Sequence, residues 1–363
     1  MLEKTVLIDL NALVKNVKYF KSLSSQKAIF VAKSNCYGCG LNQIARSVAP
    51  YVDWFAVISV KDAIKIRRLG IDKPVLVMSP FDIKETKWLI DFDLTQAILS
   101  FDDAYALELA AKKLGVIINT HLKIDTGMNR LGVKFDGENY EDILKLYNLK
   151  NLSINGLYTH FCCADEKYNP QNLYQYKRFL SVKEHLLKRC AKIGLTHAAN
   201  TYGLLNLPFV KEDAFRIGIG AYGVIDGFNK LPLKPVLKLS APIIQINDLE
   251  ANDCIGYGAV KPKNTTRRVA VLPIGYYDGV LQFIKPFYVK LNGYNAQVVG
   301  RVCMNHIFID VTNIPCKIGD TVIFFDRADE MNNYASAQGL TIYQVLCLVG
   351  QNARRKYIGK IST

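Results

Sequence analysis

Residues 28–79 read AIFVAKSNCYGCGLNQIARSVAPYVDWFAVISVKDAIKIRRLGIDKPVLVMS, and three apolar runs stand out in them, Ala28–Lys33, Trp54–Ser59 and Pro74–Ser79. Each run is near-continuously apolar, as in a strand buried on both faces. Between the last two, Val60–Leu69 repeats apolar residues every three and four positions, the period of a helix. The rhythm runs outward to about Gly223, with strand runs at Thr95–Ser100, Val116–Asp125, Leu152–Phe161, Leu195–Asn200 and Ala214–Ile217. Helical patterns fall between them at Asp82–Asp91, Phe101–Leu114 and Tyr174–Ile193. Eight such units fit a (β/α)8 barrel of the TIM type better than an open doubly wound sheet, although periodicity alone leaves both open.

Beyond Leu231 the character changes. Pro232, Pro235 and Pro242 punctuate the chain, and short β-rich runs follow at Ile243–Ile246, Arg268–Leu272, Phe287–Leu291, Ala296–Val299, Ile307–Val311 and Thr321–Phe325, with one helix expected near Ile342–Val349. The reading is an α/β barrel over residues 10–230 followed by a mostly-β C-terminal domain over 231–363. The early strand Thr5–Asp9 precedes the barrel rhythm and is expected to join the second domain.

Half of the 363 residues are apolar, enough for a sizeable core. No apolar run approaches the roughly 20 residues that span a bilayer, and MLEKTVLIDL lacks a basic start, an apolar block and a cleavage site. A cytoplasmic protein that does not engage membrane is expected. The nine cysteines lack zinc-type spacing, Cys36 and Cys39 having no second pair, so reduced thiols and no metal centre are expected. The net charge of +14 is spread along the chain in nothing longer than Arg354-Arg355-Lys356, a solvated surface rather than a nucleic-acid footprint.

In a barrel of this kind, function gathers at the C-terminal strand ends. The ends here are polar: Lys33 after the first run, Lys123 and Asp125 on the fifth, Thr159-His160 on the sixth, His197 to Thr201 on the seventh and Arg216 on the eighth. A strand-end lysine by itself is commonly a surface residue with a buried stem. A desolvated one gives up its proton readily and can condense with an aldehyde.

VAKSNCYGCG at 31–40 resembles the lysine motif of the alanine racemases. Six further segments extend the resemblance through both domains: HLKIDTGMNRLGVK at 121–134, GLYTHF with ADE at 156–166, FRIGIGAYG at 215–223, IGYGA at 255–259, LPIGYYDG at 272–279 and GRVCM at 300–304. The resemblance implies a barrel followed by a β domain, a pyridoxal phosphate cofactor, a small amino acid substrate and a homodimer with shared active sites. It implies that Lys33 carries the cofactor and is one acid/base, and that Tyr257, reaching in from the partner subunit, is the other. It places Tyr37, Thr201, Gly218 and Ile219 at the phosphate, His160 at the pyridine ring and Arg216 at its nitrogen. Arg130 would bond the phenolic oxygen and Lys123, carbamylated in many relatives, would orient it; Tyr276 and Met304 would line the substrate cleft.

Racemisation removes a proton from one face of Cα and returns one to the other, so it needs two acid/bases on opposite sides. Arginine at the ring nitrogen stays protonated, which weakens the ring as an electron sink and limits transamination. His121 and His197 read as hydrogen-bonded structural residues, and Cys162, Cys163 and Cys303 as packing thiols. Three positions depart from the family pattern: Asn305 where relatives carry aspartate, Gln282 where many carry arginine, and Gln351 where a tyrosine usually packs over the substrate. The last predicts that serine or another small polar amino acid is accepted beside alanine. A cofactor-homeostasis protein would end near residue 230, and a basic amino acid decarboxylase would need a glycine-rich phosphate loop that is absent here.

Overall fold

The computed structural model describes residues 3–189, 191–228, 230–263 and 265–359, without the side chains of Gln351 and Asn352. After β1 (Thr5–Asp9) come β2 (Lys27–Val31), β3 (Trp54–Val57), β4 (Val75–Val77), β5 (Thr95–Ile98), β6 (Ile118–Asp125), the short β7 (Val133–Lys134), β8 (Leu152–Tyr158), β9 (Leu195–His197) and β10 (Ala214–Ile217). Strands β2 to β6 and β8 to β10 are parallel. Pairing of β5 with β6 and of β10 with β2 closes them into an eight-stranded barrel. That closure decides between the two architectures the periodicity allowed.

Alternation along each strand fills the barrel. Ile29, Val31, Ala56, Leu76, Ala97, Tyr158 and Ala214 form one buried cluster. Phe30 and Phe55 lie on the alternate faces of β2 and β3, their rings 5.9 Å apart edge to face, a geometry worth about 0.5–1.5 kcal/mol beyond area burial. Strands β2, β8 and β9 stop short of the expected ends, so Lys33, His160 and Asn200 occupy the loops that follow. The helix expected at Tyr174–Ile193 runs instead over Pro170–Lys188, because Pro170 suits a first turn and Asn169 accepts from the Gln171 amide. The segment Asp82–Asp91 divides into a 3-10 turn at Ile83–Glu85 and a helix at Thr86–Asp91.

The second sheet comprises β11 (Leu237–Pro242), β12 (Gln245–Asp248), β13 (Arg268–Leu272), β14 (Tyr288–Leu291), β15 (Tyr294–Val299), β16 (Ile307–Asp310), β17 (Thr321–Phe325) and β18 (Arg354–Ile358), together with β1. Strand β1 pairs antiparallel with β11 and parallel with β18. The expected run Ile243–Ile246 begins in the break between β11 and β12 and ends on the second residue of β12. Strand β18 was missed because it is an edge strand whose Arg354, Arg355 and Lys356 read as surface charge. A helix at Ala328–Ala337 was also unforeseen.

Contacts divide the chain into two compact units. One holds Val17–Lys33 and Val48–Gly218 with all the barrel strands; the other holds Met1–Asn16, Ser34–Ser47 and Ile219–Thr363 with the second sheet. Among the described residues no helix is long and apolar enough to cross a membrane.

Candidate active site

The period of two that fills the barrel also aims its polar residues inward: His121, Lys123 and Asp125 share one face of β6, and Gly156 and Tyr158 one face of β8. Arg216 on β10 is 3% exposed, and its guanidinium donates to the carbonyls of Thr159 (2.8 Å), Ala198 (2.7 Å) and His197 (3.2 Å). It also donates to His197 Nδ1 (2.6 Å) and His160 Nδ1 (3.0 Å). Arginine can only donate, so His197 carries its proton on Nε2 and donates a hydrogen bond to His121 Nδ1, 3.1 Å away. His121 then holds its own proton on Nε2, a buried atom with no partner. Burial pushes His121 down to about 3, and burial followed by the Arg216 charge holds His197 well below the usual range. Both imidazoles are therefore neutral, as the chain of donors requires. The His121 ring fits only because residue 156 is glycine: a Cβ there would lie 2.3 Å from the imidazole.

Around His160 the charges are nearly all positive. Burial comes first in holding this imidazole neutral, followed by Arg216, Arg130, Lys123 and Lys33. Lys123 is 7% exposed and lowered to about 8 by burial and by Arg130 and Arg216, with Asp125 opposing. Asp125 is committed to the turn that presents Arg130: its Oδ1 accepts from the amides of Gly127, Met128 and Asn129 at 2.9, 2.9 and 3.1 Å. Burial lowers Arg216 only to about 10, so it stays charged at neutral pH, and none of its hydrogen-bond acceptors is a carboxylate. A buried cation among neutral acceptors leaves a deficit that an anion can fill. Thr201 and Gly218 meet beside it, the Gly218 amide donating to Thr201 Oγ1 at 3.3 Å. The Tyr158 hydroxyl is buried there with no partner. This donor set fits an anionic group such as a phosphate ester.

The residues after Lys33 carry a signal the sequence did not yield. Ser34, Asn35, Cys36 and Tyr37 all have left-handed backbones, with φ of 52°, 52°, 53° and 54°. Each costs roughly 1–2 kcal/mol in a non-glycine residue. The turn is held by Gly38 N to Ser34 O, Gly40 N to Asn35 O and Leu41 N to Asn35 Oδ1. It buries Tyr37, whose ring lies 4.9 Å from that of Tyr222. Strain of this kind persists where the surroundings over-determine it, characteristically beside functional groups.

In the β unit, three of the quoted motifs converge. The amides of Tyr276 and Tyr277 donate to the carbonyls of Cys303 and Met304, both at 3.1 Å. Gly300 packs on Ile255, and the Arg301 guanidinium lies against Gly258, beside Tyr257. Gly256 and Gly258 both take positive φ, so Tyr257 projects from a turn closed by the Ile255–Val260 bridge. Tyr257 is 73% exposed, and Tyr276 and Met304 are about half exposed. Of the departures, Gln282 accepts from the Val302 amide at 3.0 Å, and Asn305 is exposed. Gln351 falls in the helix Ile342–Asn352, its side chain outside the described residues. Tyr357, the aromatic nearest in sequence, donates instead to the Cys39 carbonyl at 2.9 Å.

Two family models cover nearly the whole chain: the alanine racemase N-terminal domain matches residues 8–226 and the C-terminal domain residues 236–357. The chain belongs to the alanine racemase family. The family makes it an isomerase, and the C-terminal match excludes a barrel-only homeostasis protein. It is 30% identical to the alanine racemase of Clostridium novyi over 97% of this chain and 94% of that one. Among solved structures it resembles the alanine racemase of Clostridium difficile with a TM-score of 0.91 and 28% identity, covering 99% of this chain and 96% of that one. The same enzyme in complex with cycloserine gives a TM-score of 0.88, 28% identity and the same coverage.

Proposed function

We propose that this chain interconverts L- and D-alanine using pyridoxal phosphate, with Lys33 and Tyr257 as the two acid/bases. The observation that carries the reading is Arg216, a buried cation whose acceptors within the barrel are all neutral. Pyridoxal phosphate would supply the electron sink that acidifies the substrate Cα–H. Arg216 would face its ring nitrogen; Thr201 and the Gly218 and Ile219 amides would take the phosphate, with Tyr37 nearby. The neutral imidazoles behind Arg216 support this, since they fix the guanidinium while withdrawing no charge from it. Arg130 would bond the phenolic oxygen, oriented by Lys123, and His160 would flank the ring. Lys33 would anchor the cofactor covalently and move the proton on one face, and Tyr257 the proton on the other.

The exposure of Tyr257 on a glycine-braced turn supports delivery to a partner's barrel, and hence a head-to-tail homodimer with two shared sites. Residues 10–230 would form the cofactor domain and 231–363, with the first strand, the domain that brings Tyr257, Tyr276 and Met304 to the substrate. Gln351, in place of the family tyrosine, favours a second substrate such as serine, and cytoplasmic supply of D-alanine for cell-wall precursors would suit the activity. The deciding experiment is the absorption spectrum of the purified protein, followed by borohydride reduction and peptide mapping. A violet-edge band fixed onto the Lys33 peptide is expected; a colourless, unmodified protein after cofactor addition would end the reading.

A further inference from the structure

We propose that Cys162 and Cys163 form a dithiol site for a soft trivalent centre of the organoarsenical type, and that filling it silences the racemase through His160. The two cysteines are adjacent in the loop that leaves β8, two and three residues beyond His160, with Cys162 exposed and Cys163 half-buried. Their sulfurs are 3.4 Å apart. Neighbouring Cα atoms across a trans peptide are about 3.8 Å apart, below the roughly 4.4 Å at which ordinary disulfides begin, and an S–S bond would close the gap to about 2.05 Å. A direct disulfide here would distort the backbone, whereas a larger atom bonded to both sulfurs needs little movement.

The kind of atom follows from the ligands. Thiolates select soft centres. Both sulfurs hang from one peptide and grip from one side, which excludes a linear two-coordinate ion and suits a pyramidal trivalent one. Among the described residues no third histidine, cysteine or carboxylate completes a cluster, so the third substituent must arrive with the ligand. The hydrogen bond shared with Cys162 pushes the Cys163 thiol up to about 11, and burial and the charges of Glu166 and Asp165 add to it. At neutral pH Cys163 stays protonated, which slows its alkylation as a single thiol. With an organoarsenic(III) oxide, two As–S bonds form as the As–O bonds break. The two S–H protons leave with the oxygen as one water, and arsenic remains trivalent.

The chelated atom leaves the sulfurs near their places, but the organic group it carries adds bulk to a loop with little slack. Gln175, fully buried on the helix Pro170–Lys188, accepts from the Cys162 amide at 2.9 Å and donates to the His160 carbonyl at 3.2 Å. Asn172 donates to the Cys163 and Glu166 carbonyls at 2.9 and 3.0 Å, and Asn206 to those of Ala164 and Asp165 at 2.9 and 3.1 Å. A shift of the Cys162–Cys163 peptide therefore reaches His160 through one carboxamide. This coupling rests on the proposed role of His160; binding itself does not.

The test treats the holoenzyme with phenylarsine oxide and reads intact mass and racemase activity together. One adduct per chain is expected, stable to excess monothiol, stripped by a dithiol, with activity falling and returning in step at least tenfold. Cys162→Ser and Cys163→Ser should each hold no monothiol-resistant adduct and keep their activity under the reagent, and Cys254→Ser should behave as wild type. An adduct that survives in both serine variants, or that monothiol removes, overturns the site. An adduct on this pair with activity unchanged overturns the coupling to His160.

Discussion

The barrel mouth and the Tyr257 turn are proposed to serve one reaction, yet they are built in opposite ways. Arg216 is buried and held by neutral acceptors from its own unit, and even the imidazole behind it is held by a second imidazole. Tyr257 is 73% exposed on a turn with two positive-φ glycines, its position set by Arg301 and Phe308 packing against those glycines. Burial over-determines a charged group that must not move. A group proposed to enter another chain's site is aimed by its backbone and left open at its tip.

The largest effect expected is on the barrel side. Lys33→Ala should lower turnover in both directions by at least about 10⁴-fold, since it removes the cofactor linkage and one acid/base together. Tyr257→Phe should cost about 10²–10⁴-fold while leaving cofactor absorbance intact; a variant turning over at the wild-type rate would break the two-base reading. Mixing the two inactive proteins after mild dissociation sharpens the contrast. Hybrids should regain up to about a quarter of wild-type activity, because one site in a shared dimer is then whole; a fully active monomer in sedimentation would refute it.

Gly156→Ala tests how tightly the barrel side is packed. Its Cβ would meet the His121 ring at 2.3 Å, so a loss of about 1–3 kcal/mol in denaturant unfolding is expected, with lowered activity if the histidine chain positions Arg216. Burial with the Arg130 and Arg216 charges lowers Lys123 from 10.5 to about 8. Between those values the unfolded chain holds a proton that the folded chain has released, so stability rises with pH across that window. The cost of burying the charge is complete below pH 8 and relieved above it. Lys123→Met should lack the rise in thermal melts, and equal slopes in both proteins would mean that Lys123 does not titrate as a free amine. The smallest effect is expected at Gln351→Tyr. One side-chain hydrogen bond is worth roughly 0.5–1.5 kcal/mol, so the alanine-to-serine turnover ratio should rise by up to about tenfold; an unchanged ratio would remove Gln351 from the substrate pocket.

The amino-acid sequence by itself determined the eight strand runs, their alternation with helices and the polar residues that follow them, because period-two burial and strand-end polarity are local properties of the chain. It also carried seven ordered motifs that identify the family across both domains. Tertiary structure alone decided that β5 pairs with β6, which turns a row of strands into a barrel. It alone linked His160, Arg216, His197 and His121 into one chain of hydrogen bonds, since those residues come from four strands or their loops. The left-handed run at Ser34–Tyr37 was equally illegible, since only Asn35 among the four has a local preference for that region. The edge strand Arg354–Ile358 was hidden for a related reason: its three basic residues read as surface charge, and only its pairing with Thr5–Asp9 makes it part of a sheet. Hydrogen bonds between distant strands are set by closure and register, and a one-dimensional pattern of burial does not encode them.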